Sequence, residues 1–363
     1  MSTSERSLMR LNRGVGPIEV MISIIIAMLL VLVIYQVYEI SEGQKRTITA
    51  GSDARQNASF GLYALGRDLA MAGNGIASAA DKLKDCSFDL PLPPGVSAPH
   101  PLQSLRPMPV VIEHFDDADV PDKITVFYGG SSSLSTPVQF QTPQATTADP
   151  YIVRAPVGFN ANDVVAAVDG ARCTLSKVNV VGVDGNGYAT LTRTPIPGVV
   201  DVAYGAPTAA LINLGQLPSI GRITYTVDTQ TRTLRTQNQF SNDMQATTTP
   251  APVINDVVNL KAQYGLDTDN NGDIDAWENA TDGSIWSAAN LPNQPLATLR
   301  QIRAVRIAIV TRSAQYEKEE VTTGPLSILN GTVPMPLSAD DKHYRYKILE
   351  TVVPLRNALW NAS

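Results

Sequence analysis

Apolar and polar positions along the chain change period once. From Val20 to Tyr38 nineteen consecutive residues carry no charge, about the length that crosses a bilayer's hydrocarbon core as a helix. Beyond it Ala54, Ala58, Leu62, Leu65, Leu69 and Ala72 recur every three or four residues, the apolar face of a helix meant to pack on something. Gly73, followed by Asn74-Gly75, supplies the stop. The spacing predicts one helix from about Gly16 to Ala72, with Gly43 and Gly51 as weak points.

After the prolines between Pro91 and Pro107 the period becomes two. Strands are predicted at Lys123–Tyr128, Tyr151–Val153, Val164–Val168, Leu175–Val183, Tyr188–Thr192, Arg222–Val227 and Thr231–Thr236, the last two as a hairpin turning at Asp228-Thr229-Gln230. Further on, Val258, Leu260, Ala262, Tyr264 and Leu266 alternate with Asn259, Lys261, Gln263 and Gly265. Val305, Ile307 and Ile309 alternate around Arg306, and a last strand is expected over Tyr344–Val353. One long helix feeding many strands reads as α+β.

Arg6, Arg10 and Arg13 precede the apolar run and only Glu5 opposes them. The excess of basic residues puts the N-terminus in the cytoplasm and the rest of the chain across the membrane. A cleaved secretory signal would have a shorter apolar core and a small-residue cleavage site; here the run continues into Tyr38-Glu39-Ile40-Ser41-Glu42. A net charge of −6 without a basic cluster excludes nucleic acid as a partner. Cys86 and Cys173 both fall in the exported part, where an oxidising compartment favours a disulfide; two buried free thiols are the alternative.

Glu19, at the edge of the apolar run, needs a partner, because a carboxylate at membrane depth is costly. The residues around it, a basic leader ending in Gly14 and then Val15-Gly16-Pro17-Ile18-Glu19, resemble the leader of type IV prepilins and pseudopilins. That resemblance implies cleavage between Gly14 and Val15 by a prepilin peptidase, N-methylation of Val15, and a salt bridge from Glu19 to the Val15 amine, its own or a neighbour's. Arg67–Gly73, Val257–Glu278, Ile302–Ser313 and Tyr346–Asn357, in that order, resemble a PilW-type minor pilin, a group similar to the J-type pseudopilins of type II secretion. Pro91–Pro121 and Asn279–Ala297 carry no such likeness.

The resemblance implies a type IV pilin-like fold and four segments: leader 1–14, transmembrane and assembly helix 15–73, proline-rich region 74–121 and β-rich extracytoplasmic head 122–363. It implies a minor pilin of the inner membrane and then of the pilus, which helps prime assembly and sits at or near the tip. The implied partners are other minor pilins, the major pilin, the prepilin peptidase and the inner-membrane assembly platform. The alternatives are a J-type minor pseudopilin and a non-polymerising, calcium-dependent, membrane-anchored adhesin.

Asp267 to Glu278 fits the twelve-residue calcium loop D-x-[DN]-x-[DN]-G-x5-E. Its expected ligands are Asp267, Asp269, Asn271, the Asp273 carbonyl, Asp275 and a bidentate Glu278, with Gly272 at the sharp turn. A strand enters the loop, so a structural calcium site is expected and not an opening EF-hand pair. Asp184-Gly185-Asn186-Gly187 is read as a hairpin turn without metal. His100, His114 and His343 share no metal spacing, His114-Phe115-Asp116-Asp117 reads as a surface acidic turn, and neither a nucleophile elbow nor a phosphate loop is present. The expectation is a binding protein and not an enzyme.

Overall fold

The structure, a computed structural model, describes residues 16–83, 86, 88–89, 104–105, 107–131, 136–154, 157–196, 200–238 and 250–357. The chain divides into two compact units at Ser52/Asp53. In the first, the part of the long helix Pro17–Met71 that precedes Asp53 presents apolar side chains outward all round, Ile22, Leu29, Val33 and Tyr38 among them. The helix is long and apolar enough to cross a membrane. It passes unbroken through Gly43 and Gly51, because a single glycine costs a helix only about 1 kcal/mol. Gly73, at φ +78, takes the left-handed conformation that ends it.

In the second unit the helix, from Asp53 on, becomes one wall of a core. Leu65, Leu69 and Ala72 pack with Leu260, Ala262, Tyr264, Val305, Ile307 and Ile309 of one sheet and Ile112, Ile124, Val126 and Tyr225 of another. Burying each leucine contributes about 1.5–3 kcal/mol. Polar contacts fix the helix against the strands: Thr311 Oγ1 donates to Ala54 O at 2.8 Å, and Tyr225 OH to Asp68 Oδ2 at 2.7 Å. Burial, then the Asp68 carboxylate, pushes the Tyr225 hydroxyl up, so it stays a donor. Gly61 permits the close approach; a Cβ there would lie 2.6 Å from Ile254 Cδ1.

The first of these sheets has four antiparallel strands in the order Ala276–Glu278, Val257–Leu266, Ile302–Arg312, Tyr346–Pro354. Ile302–Arg312 is buried on both faces. Val305, Ile307 and Ile309 meet the helix-lined core, while Ala308 and Val310 meet a hairpin, Leu326–Ile328 with Val333–Met335, through Ile328, Leu329 and Met335. The second sheet has five strands, ordered Ala251–Ile254, Thr233–Asn238, Gly221–Asp228, Lys123–Tyr128, Val110–Glu113.

Between Tyr128 and Gly221, which are register partners in the five-stranded sheet, the chain makes a closed barrel. Its strands follow the order Val138–Gln139, Ala210–Gln216, Asp163–Asp169, Arg172–Val183, Ala189–Pro195, Tyr151–Val153. Phe140 bridges Val153, Gln141 N–H donates to Ile152 O at 2.8 Å and Arg154 N–H to Gln139 O at 3.1 Å, joining the last strand to the first. The interior is filled by Phe140, Tyr151 and Tyr204, ring centroids 5.0–6.2 Å apart, with Val165, Ala167, Leu191 and Leu211. Val164, Ala166, Val168 and Ile212 face the other way onto Ile76, Ala79, Leu83 and Phe127. Both faces of Asp163–Asp169 and Ala210–Gln216 are therefore apolar, as strands buried on two sides require. Where the chain enters and leaves, Gly215, at φ +90, lies against the Gly130 backbone; a Cβ there would come within 2.5 Å.

Candidate functional site

At the N-terminal end of the helix, Pro17 opens the first turn, a position that needs no amide hydrogen. Glu19 sits exposed in the first turn; its N–H donates to Gly16 O at 3.0 Å and its carbonyl accepts from Ser23 Oγ at 2.7 Å. Gly14 and Val15 lie outside the described residues, and so does the expected Glu19–Val15 pair.

The acidic loop closes a hairpin between Val257–Leu266 and Ala276–Glu278, with Leu266 opposite Ala276. Asp267 is fully buried; its carboxylate accepts from Asn271 N–H and Gly272 N–H, both at 3.0 Å, and pairs with Arg303 at 2.9 Å. Asp269 accepts from Asn271 N–H and Nδ2, each at 3.1 Å, and Asp275 from Thr268 N–H at 2.7 Å and Thr268 Oγ1 at 2.8 Å. Those bonds from Thr268, amide first and hydroxyl second, hold the Asp275 carboxyl below the usual carboxylate range. Gly272, at φ +97, makes the sharp turn.

One carboxylate oxygen each from Asp267, Asp269 and Asp275 falls within 4.8 Å of the others, a spacing that one hard cation with oxygen ligands spans. Of the remaining expected ligands, Asn271 Oδ1 accepts from Asp273 N–H at 2.7 Å, and Asp273 and Glu278 are outside the carboxylate group. The loop leaves as a strand, where each residue advances about 3.3 Å. Glu278 is thus carried down the sheet opposite Tyr264, its side chain exposed, instead of returning to the loop.

Cys86 and Cys173 form a disulfide, Cα atoms 5.8 Å apart, that ties the segment after the short helix Ala80–Leu83 to the barrel strand Arg172–Val183. Asp184 makes the turn between Val183 and Tyr188, its Oδ1 accepting from Asn186 N–H and Tyr188 N–H. His100 lies outside the described residues; Nδ1 of His343 is 2.9 Å from Glu317 O.

A buried network here has no counterpart in the sequence reading. Alternation puts Asn259, Lys261 and Gln263 on a solvent face, yet all three are buried: the segment His114–Asp122 covers Asn259 and Lys261, and Gln263 Nε2 donates to Asn279 Oδ1 at 3.0 Å. Lys261 Nζ donates to Phe115 O at 2.9 Å, Asp117 O at 3.1 Å and Asp122 Oδ1 at 3.1 Å. Asp122 also accepts from Ala262 N–H at 2.9 Å and Phe115 N–H at 3.2 Å, and lies 3.1 Å from His114 Nδ1. His114 is therefore a largely buried strut. The only sequence signal was a lysine in an apolar strand whose carboxylate stood far away in the chain.

Residues 224–357 match the family model of PilW, Type IV Pilus-assembly protein W. The C-terminal region is a PilW domain. No curated protein and no solved structure matches the chain. The PilW domain includes the whole four-stranded sheet, the acidic loop and the Lys261 end of the buried pair; the long helix and the barrel lie outside the matched span.

Proposed function

We propose that this protein is a minor pilin that helps prime a type IV pilus and stays at or near its tip. The observation that carries the reading is one chain holding both a membrane-length apolar helix that continues into a sheet-rich head and a PilW domain in that head. After cleavage between Gly14 and Val15, Glu19 would neutralise the new Val15 amine in an apolar shaft. Removing either group strands the other, so the pair sets register even where it adds little net stability. The inserted barrel adds bulk that a closely repeating shaft subunit could not carry, which favours the tip. The work of such a protein is docking onto other minor pilins, the major pilin and the assembly platform, and involves no catalysis.

The acidic loop is proposed as a structural calcium site held by Asp267, Asp269 and Asp275. Arg303 already compensates Asp267, and Glu278 is out of reach, so the affinity belongs at the weak extracellular end, about 10⁻⁴–10⁻³ M. When bound, calcium would neutralise carboxylates that otherwise repel one another. Digestion with and without chelator tests this: protection of the 267–275 backbone by calcium is expected, and equal cleavage rejects it.

The experiment for the main reading is mass spectrometry of fibres sheared from cells. A scarce peptide beginning at N-methylated Val15 is expected; full-length protein beginning at Met1, confined to the membrane, would refute it.

A further inference from the structure

Among the described residues the sheet edges of the head are closed, short like the four-residue Ala251–Ile254, or capped by a side chain, with one long exception. The barrel has no edge where Phe140 meets Val153. The outer strand Val110–Glu113 gives its Ile112 N–H to the Tyr264 hydroxyl at 2.8 Å. Ala276–Glu278 is only three residues long. Tyr346–Pro354 has nine residues, stands last in its sheet, and pairs on one side only, with Ile302–Arg312, without a bulge.

Ser313 N–H donates to Arg345 O at 2.7 Å and Leu355 N–H to Arg303 O at 2.8 Å. These two bonds fix the phase of the ladder: odd-numbered residues face the neighbour. Ile348, Glu350 and Val352 therefore aim N–H and C=O outward, and none of these groups has a hydrogen-bond partner among the described residues. Thr322 covers the approach to the strand only as far as Tyr344 O, Lys347 precedes the free row, and Pro354, lacking N–H, ends it.

From this edge we infer that the PilW domain captures an extended segment of a different subunit, which pairs as a fifth strand beside Tyr346–Pro354. Alternating donors and acceptors at strand spacing match another extended backbone and little else. A second copy of the same strand fits poorly. The antiparallel register that satisfies all three residues centres on Glu350 and sets it opposite itself, and like charges directly opposed destabilise a sheet. The captured segment should carry a neutral or basic residue there. Glu350 is itself held in place, accepting from Leu329 N–H and Asn330 N–H.

This inference goes beyond the pilin reading and rests on it only for where the partner is found. Amide exchange is compared between the full-length chain purified in detergent and the same chain extracted from the envelope with its bound subunits. The amides of Ile348, Glu350 and Val352 should slow at least about tenfold in the complex, with Leu349 and Thr351, already in the ladder, unchanged. Val352→Pro removes an outward N–H without breaking the ladder; it should leave the melting of the isolated chain intact and abolish recovery of the partner. Unchanged exchange in a complex containing the partner, or wild-type recovery with Val352→Pro, overturns the inference. Protection that rises with concentration in the isolated chain overturns the choice of a different subunit. Protected amides without N-methylated Val15 would refute the pilin reading and leave the edge assignment standing; N-methylated Val15 with exchanging amides would do the reverse.

Discussion

Replacing Asp122 by asparagine tests whether the Lys261 network is a true buried charge pair. Lys261 and Asp122 are 1% and 0% exposed, and the ammonium's other partners are two backbone carbonyls. Asp122→Asn keeps the shape but leaves the ammonium uncompensated, and removing one partner of a buried pair costs about 3–5 kcal/mol. Lys261→Met should cost less, about 2–3 kcal/mol, because Asp122 retains two backbone amides and His114. The double variant removes both charges together, so its cost should match the larger single and reveal a coupling equal to the smaller, about 2–3 kcal/mol. Urea unfolding of the full-length protein in detergent, followed by fluorescence, reads this out. Trp286, 6.5 Å from Tyr264 in the same core, reports on the relevant region. Costs that simply add, or a cost for Asp122→Asn below about 1 kcal/mol, would refute the reasoning.

Other expectations follow from single features. Glu19→Ala should leave processing intact and abolish incorporation into fibres, measured by immunoblot of sheared pili; normal incorporation would count against the salt-bridge role. Reducing Cys86–Cys173 opens a sequence separation of 87 residues, which in the chain-entropy view is worth up to about 4–5 kcal/mol; a melting temperature that does not fall on reduction would contradict it. Hydrogen bonds from Thr231, side chain first and amide second, hold Asp228 below the usual carboxylate range. That contribution is complete above the unfolded value near pH 3.9 and fades as pH falls through the depressed one, so the Gln230 and Thr231 amides should exchange faster there; flat exchange corrected for intrinsic rate would sink it. Gly61→Ala should be close to neutral, because about 1 kcal/mol of helix propensity offsets a clash with a flexible isoleucine end, whereas Gly61→Leu should destabilise clearly in the same unfolding assay.

What the sequence made legible was whatever depends on local period. The helix bounds, the strand Lys123–Tyr128 and the hairpin at Asp228 fall within a residue or two of expectation, since each is set by alternation and a glycine or aspartate turn. Ala210–Gln216 escaped because a strand buried on both faces does not alternate. Barrel closure rests on the two-residue strand Val138–Gln139 and a single bridge at Phe140, too little pattern to read. Lys261 and Asn259 looked like solvent positions because the segment that covers them is remote in sequence. In the acidic loop, composition named Asp267, Asp269 and Asp275, but the twelve-residue template assumes an exit that turns back, and a strand carries Glu278 away.

The placement of the barrel sets an order in which a chain made from its N-terminus can fold. On the proposed topology Lys123–Tyr128 would reach the far side of the membrane well before Gly221–Asp228, its neighbour in the finished sheet. The barrel's strands, all within Val138–Gln216, can find one another in between. Contacts between near residues form faster than those between distant ones. The barrel should therefore close first and act as a clamp, bringing Tyr128 and Gly221 side by side so that the rest of the head is left with a short search. Pulse-labelled exchange during refolding would show barrel amides protected before those of the five-stranded sheet, and simultaneous protection would argue that the head assembles as one unit.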